Sequence, residues 1–88
     1  MVRYRVLVTG LVQGVNFRGA CQRMAWQHGV TGWVRNLDDG RVEAVFEGPA
    51  SDVEPLVDWA RHGPRLAVVS DITVQAEQPE GLGTFAIR

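Results

Sequence analysis

The stretch Gly10-Leu11-Val12-Gln13-Gly14-Val15-Asn16-Phe17-Arg18 holds no acid and no lysine, and it ends on one guanidinium. A linker has no use for Val12, Val15 and Phe17, and an ordinary hairpin turn does not need so many residues. A helix that begins near Phe17 would expose unpaired amides and a partial positive charge at its first turn. A glycine-bearing loop leading into it lets successive amides turn toward one centre, as an anion-binding nest does. Gly14 leaves room for close approach, and Arg18 can reach back with a planar fork of donors. That constellation suits a tetrahedral oxyanion. It also suits a plain strand-to-helix turn, and spacing alone does not choose. Neither a Gly-Lys-Ser/Thr signature nor the three-glycine dinucleotide spacing is present.

Asn36 is the second candidate. It ends the first half of Gly32-Trp33-Val34-Arg35-Asn36-Leu37-Asp38-Asp39-Gly40-Arg41-Val42. A neutral carboxamide accepts a hydrogen bond from water with its oxygen and donates with its nitrogen, but it is no base at neutral pH.

The elements that must position these residues are legible from periodicity. Val2, Tyr4, Val6 and Val8 alternate with Arg3, Arg5 and Leu7, which predicts a half-buried strand over residues 2–8. Phe17, Ala20, Cys21, Met24 and Ala25 form a helical stripe that His28-Gly29 ends. Thr31 to Arg35 and Arg41 to Glu47 read as two strands, with hairpin-turn chemistry at Leu37-Asp38-Asp39-Gly40. Ser51-Asp52-Val53-Glu54 has the spacing of a capping box and predicts a second helix, with Val53, Leu56, Val57 and Ala60 inward. Pro55 blurs its start, and His62-Gly63-Pro64 stops it. Strands are predicted at roughly 66–77 and 83–88.

The order is β-α-β-β-α-β with a short extra strand at the carboxyl end. An α+β ferredoxin-like sandwich, an antiparallel sheet with both helices on one face, is the simplest way to bury both stripes. That fold hosts many functions and settles none.

At 88 residues the chain reads as one domain, residues 1–88. Hydrophobic residues at 45% against 22% charged place it among globular chains rather than disordered ones. No apolar run is long enough to span a bilayer and nothing marks secretion, so the expectation is a cytoplasmic protein without membrane contact. The single cysteine, Cys21, cannot make an internal disulfide. A net charge of −1 argues against nucleic acid as a partner. All nine basic residues are arginine, so an arginine is informative here only through its position.

The two stretches together resemble the acylphosphatase family. Gly10, Val12, Gln13, Gly14, Val15, Phe17 and Arg18 follow its loop pattern, and Gly32, Trp33, Val34, Arg35, Asn36, Gly40, Val42 and Gly48 its hairpin pattern. The resemblance implies hydrolysis of acyl phosphates to a carboxylate and inorganic phosphate, without metal or cofactor, by a small monomer. It implies that Arg18 and Asn36 are catalytic, Arg18 binding phosphate and Asn36 orienting water. The backbone amides of Gln13, Gly14, Val15, Asn16, Phe17 and Arg18 would complete the cradle. Gly19-Ala20-Cys21 and Leu37 depart from residues common in the family.

The remaining chemistry-bearing residues have structural readings. His28 and His62 suit the negative ends of helix dipoles. Asp38 and Asp39 fit a hairpin turn better than a metal or acid pair. Cys21 fits packing better than a nucleophile. Trp26 and Trp59 read as packing or helix-surface aromatics, and Trp33 as either core or rim of the site. A single-strand RNA module would want stacking aromatics on the central strands, and a copper chaperone a Cys-x-x-Cys pair; neither is present.

Overall fold

The structure, a computed structural model, describes all 88 residues. Its elements are β1 (Val2–Leu11), α1 (Phe17–His28), β2 (Thr31–Asn36), β3 (Val42–Gly48), α2 (Ala50–Ala60), β4 (Val68–Glu77) and β5 (Phe85–Ile87). They make one sheet in the order β4-β1-β3-β2-β5. The first four strands of that order pair antiparallel, as expected for the sandwich. The short terminal strand adds in parallel to the β2 edge, with Gly32 opposite Phe85 and Val34 opposite Ile87. It can do so because residues 78–84 carry the chain from one edge of the sheet to the other.

Alternation decides which side chains meet the helices. Val6 and Val8 of β1, Ala44 and Phe46 of β3, and Val34 of β2 turn to one face. There they join Phe17, Cys21 and Ala25 of α1 and Val53, Leu56, Val57 and Ala60 of α2 in a single buried cluster. Each large apolar side chain so buried contributes about 1.5–3 kcal/mol. Phe17 packs on Trp59 with ring centres 5.1 Å apart, so the first residue of α1 is held against α2. No helix is long and apolar enough to cross a membrane.

Helix α1 ends as its sequence predicts. Gly29 is left-handed at φ 67°, and the Val30 amide donates to Ala25 O at 2.9 Å, closing a Schellman turn. Helix α2 does not start as predicted. The capping-box spacing put Ser51 at the cap, yet the helix begins at Ala50 behind Pro49 with no side-chain cap. Pro49 is extended at ψ 141°, and its carbonyl accepts from Asp52 and Val53 at 2.9 and 3.0 Å. Ser51 therefore already lies inside the first turn. Proline's fixed φ sets the entry that a serine cap would otherwise set.

Strand β1 runs past Val8 to Leu11, with a register shift between Thr9 and Gly10 opposite β4. Gly10 has φ 136°, and a Cβ there would fall on the Val68 carbonyl. The irregularity lets the strand bend into the loop that follows.

The sheet face turned away from the helices is not simply solvated. Glu43 and Glu47 of β3 are 4% and 1% exposed. Arg5 and Arg35 flank Glu43 at 2.9 and 2.6 Å. Glu47 accepts from the amides of Glu80, Gly81 and Leu82 at 3.0, 2.6 and 3.2 Å. Those donors belong to the segment that crosses the sheet, so Glu47 pins the crossing.

Candidate active site

At the opposite end of the sheet, β1 leaves through residues 12–16 into α1 and β2 ends at Asn36. Between them lies a cavity of about 270 Å³. Gly14, Asn16, Arg18 and Gly19 line it from the loop and the first turn of α1. Asn36 lines it from the strand, and Val12, Phe17 and Ile87 supply apolar wall. Every other lining residue was singled out by, or neighbours, the sequence motifs; Ile87 enters because β5 runs beside β2 to the same end.

The loop backbone is built for close amides. Gly14 is left-handed at φ 74°, and so is Asn16 at φ 63°, the one non-glycine residue with positive φ. Asparagine tolerates that region better than most side chains. Alternation of left-handed with ordinary residues is the backbone pattern of an anion nest. The amides of Gln13 through Gly19 donate to no protein acceptor; the first amide that does is that of Ala20, to Asn16 O at 3.1 Å. A Cβ at Gly19 would meet the Asn16 carboxamide oxygen, the free end of an exposed side chain that would have to turn aside.

Arg18 is exposed and sits in the first turn of α1, on the cavity. Arg3, Arg5, Arg35, Arg41 and Arg61 are all paired with carboxylates. Arg18 has no such partner and no side-chain hydrogen bond, so its guanidinium is not held elsewhere. Asn36 is half-buried, and its Oδ1 is buried with no hydrogen-bond partner. Buried acceptors are nearly always satisfied, and the exceptions call for an account.

Gln13 does more than its backbone predicts. Its Nε2 donates to Leu37 O at 2.8 Å and to Arg41 O at 3.0 Å, joining the loop to the β2–β3 turn. Sequence reasoning gave this residue only a main-chain role. The one available signal was an uncharged polar side chain between Val12 and Gly14, in a loop whose only other such residue is Asn16.

Several residues fall outside the site. Trp33 faces the side of the sheet opposite Asn36, since an odd and an even position on one strand point apart. Arg88 and Arg35 lie over its ring at 4.8 and 5.3 Å, so it is neither core nor rim of the cavity. Cys21 is fully buried, and burial pushes its thiol up, which leaves packing as its role. Asp39 accepts from the Arg41 amide at 3.1 Å within the turn; that bond holds its carboxyl below the ordinary value. No three His, Cys, Asp or Glu side chains gather where a metal ion could be held.

Known proteins resemble the chain over nearly its whole length. A family model described as Acylphosphatase matches residues 4–87. An acylphosphatase of Gloeobacter violaceus is 57% identical over 86 residues, covering 98% of this chain and 92% of the relative. One from Haloarcula marismortui is 52% identical over 86 residues, covering 98% and 94%. The crystal structure of acylphosphatase from Bacillus subtilis superposes with a TM-score of 0.96 at 40% identity, covering 100% of this chain and 99% of that one.

Proposed function

Because the chain belongs to the acylphosphatase family, hydrolases that act on acyl phosphates, we propose that it cleaves the carboxyl–phosphate bond by direct attack of water at phosphorus. Arg18 and the amides of residues 13–18 hold the phosphoryl oxygens, and Asn36 holds the water.

The chemistry asks mainly for position and charge. Phosphoryl transfer gains from holding nucleophile and phosphorus in line and from stabilising the equatorial oxygens. The free amides and the unpaired guanidinium supply donors for those oxygens, each charge-assisted bond contributing about 1.5–3 kcal/mol. The Asn36 carboxamide oxygen accepts a hydrogen bond from the water, without taking its proton, and leaves the water's lone pair toward phosphorus. As the new P–O bond forms, the P–O bond to the acyl group breaks and a carboxylate departs. A carboxylate is stable as an anion, so no general acid is needed. The water's proton passes to a phosphoryl oxygen, giving inorganic phosphate. No ionisable base lines the cavity, in keeping with this route.

One observation carries the proposal: a loop whose amides have no protein acceptor, Arg18 with its unpaired guanidinium, and Asn36 line one cavity. The test is phosphate release from benzoyl phosphate by the parent and by Arg18→Ala, each with and without a chelator. The expected result is a chelator-insensitive parent and a variant slowed by more than the roughly 10²–10³ typical of one lost oxyanion donor. Parent-rate hydrolysis by Arg18→Ala would remove Arg18 from the mechanism.

A further inference from the structure

We propose that the Gln13 side chain is a positioning residue for the hydrolysis, fixing the separation between the phosphate cradle and Asn36. This rests on the roles of Arg18 and Asn36 proposed above. Strands β1 and β2 are not neighbours, because β3 lies between them. The ladder therefore sets the cradle and the strand end carrying Asn36 relative to each other only through a third strand. Gln13 joins them directly. Its main chain belongs to the loop, and its Nε2 spends both protons on the hairpin, at Leu37 O and Arg41 O.

Those two carbonyls are not arbitrary. Leu37 follows Asn36, and Arg41 precedes Val42, the cross-strand partner of Asn36. The Leu37 amide also donates to Arg41 O at 2.8 Å, so both carbonyls belong to one closed corner. No other side-chain hydrogen bond links residues 12–19 to the hairpin. In-line attack is intolerant of error: a displacement of about 1 Å costs up to roughly 10²-fold. Leucine at position 13 keeps the volume and loses both donors. Asparagine is one methylene too short to reach both acceptors.

The experiment compares parent, Gln13→Leu, Gln13→Asn, Asn36→Ala, Gln13→Leu/Asn36→Ala and Arg18→Ala on benzoyl phosphate, with inorganic phosphate as inhibitor. Gln13→Leu is expected to lower kcat about 10- to 100-fold while phosphate inhibition changes by less than about twofold. On the Asn36→Ala background the same change is expected to cost less than about twofold more, because a residue acting through Asn36 has nothing left to position. Gln13→Asn serves the same comparison if the leucine variant does not fold. Parent-like kcat in Gln13→Leu, or a full additional loss on the Asn36→Ala background, overturns the tether. So does weakened phosphate inhibition with unchanged kcat. An active Arg18→Ala sinks the cradle itself, whereas an inactive Arg18→Ala beside a parent-like Gln13→Leu sinks only the tether.

Discussion

Arg3 Nη1 and Glu47 Oε2 lie 3.3 Å apart on the sheet face away from the helices, with side chains 8% and 1% exposed. Arg3 also reaches Glu77 at 3.0 Å, and Glu47 also accepts three successive amides of the crossing segment. A buried carboxylate is tolerated only when its lone pairs are satisfied in this way. The pair therefore acts as a clasp between β1, the central strand β3 and the chain on its way to β5. It lies at the end of the sheet remote from the cavity.

That clasp gives the fold an acid limb. Burial alone would raise the Glu47 carboxyl, but the amides of Glu80, Gly81 and Leu82, with Arg3, outweigh it and hold it below the usual carboxylate range. A lowered folded-state value means stability that is present above the ordinary carboxyl pKa, near 4.3, and is lost as pH falls through the folded value. Thermal unfolding followed from pH 7 downward is expected to show Tm falling only in the acid range. Glu47→Gln is expected to lower stability at neutral pH by roughly 3 kcal/mol, the lower end for breaking a buried pair, because Arg3 keeps Glu77. The same variant should lose much of the acid slope. An unchanged slope in Glu47→Gln would assign the acid limb to other carboxylates.

Position 16 is expected to matter through its backbone. Asn16 holds φ 63°, which glycine adopts freely and a β-branched residue resists at about 1–3 kcal/mol. Asn16→Gly should fold and hydrolyse benzoyl phosphate at close to the parent rate, while Asn16→Val should lose phosphate affinity as the loop shifts. Gly19→Ala, whose new Cβ would meet the Asn16 carboxamide, should cost little alone, because that exposed side chain can turn aside, and less still beside Asn16→Gly. Inhibition constants for inorganic phosphate across the four variants check this. Equal affinity in Asn16→Val and Asn16→Gly would mean the loop does not depend on that φ.

Most of the sandwich is written locally. The alternation from Val2 to Val8 and the stripe from Phe17 to Ala25 need only the periods of a strand and a helix, and both elements formed there. Arg18 and Asn36 stood out as candidates because one ends the glycine loop and the other ends the first strand of the hairpin stretch. What stayed hidden depends on partners far along the chain. Glu47 looks solvent-facing until residues 80–82 fold over it, and Gln13 looks like a loop residue until Leu37 and Arg41 come within reach. The start of α2 was misread for a different reason: the Ser51–Glu54 spacing matched a capping pattern, but Pro49 set the entry first. Trp33 was different again, since its parity against Asn36 already separates the two faces.

Asn36 separates holding water from holding phosphate. Its Oδ1 is the one buried side-chain acceptor without a partner, and the residue lines the cavity beside the loop. If its work is to orient the nucleophile, Asn36→Ala should lower kcat by roughly 10²-fold or more, the scale of lost positioning, and leave inhibition by inorganic phosphate unchanged. Asn36→Asp has nearly the same shape but puts a carboxylate beside a phosphoryl dianion. It should lower kcat and weaken phosphate inhibition as well, the latter more steeply as pH rises and both groups ionise. Steady-state rates with benzoyl phosphate and phosphate inhibition constants between pH 5 and 8 test both. Weakened phosphate inhibition in Asn36→Ala would move the residue from the water to the phosphoryl oxygens, and the cradle would then have a side-chain donor on each wall.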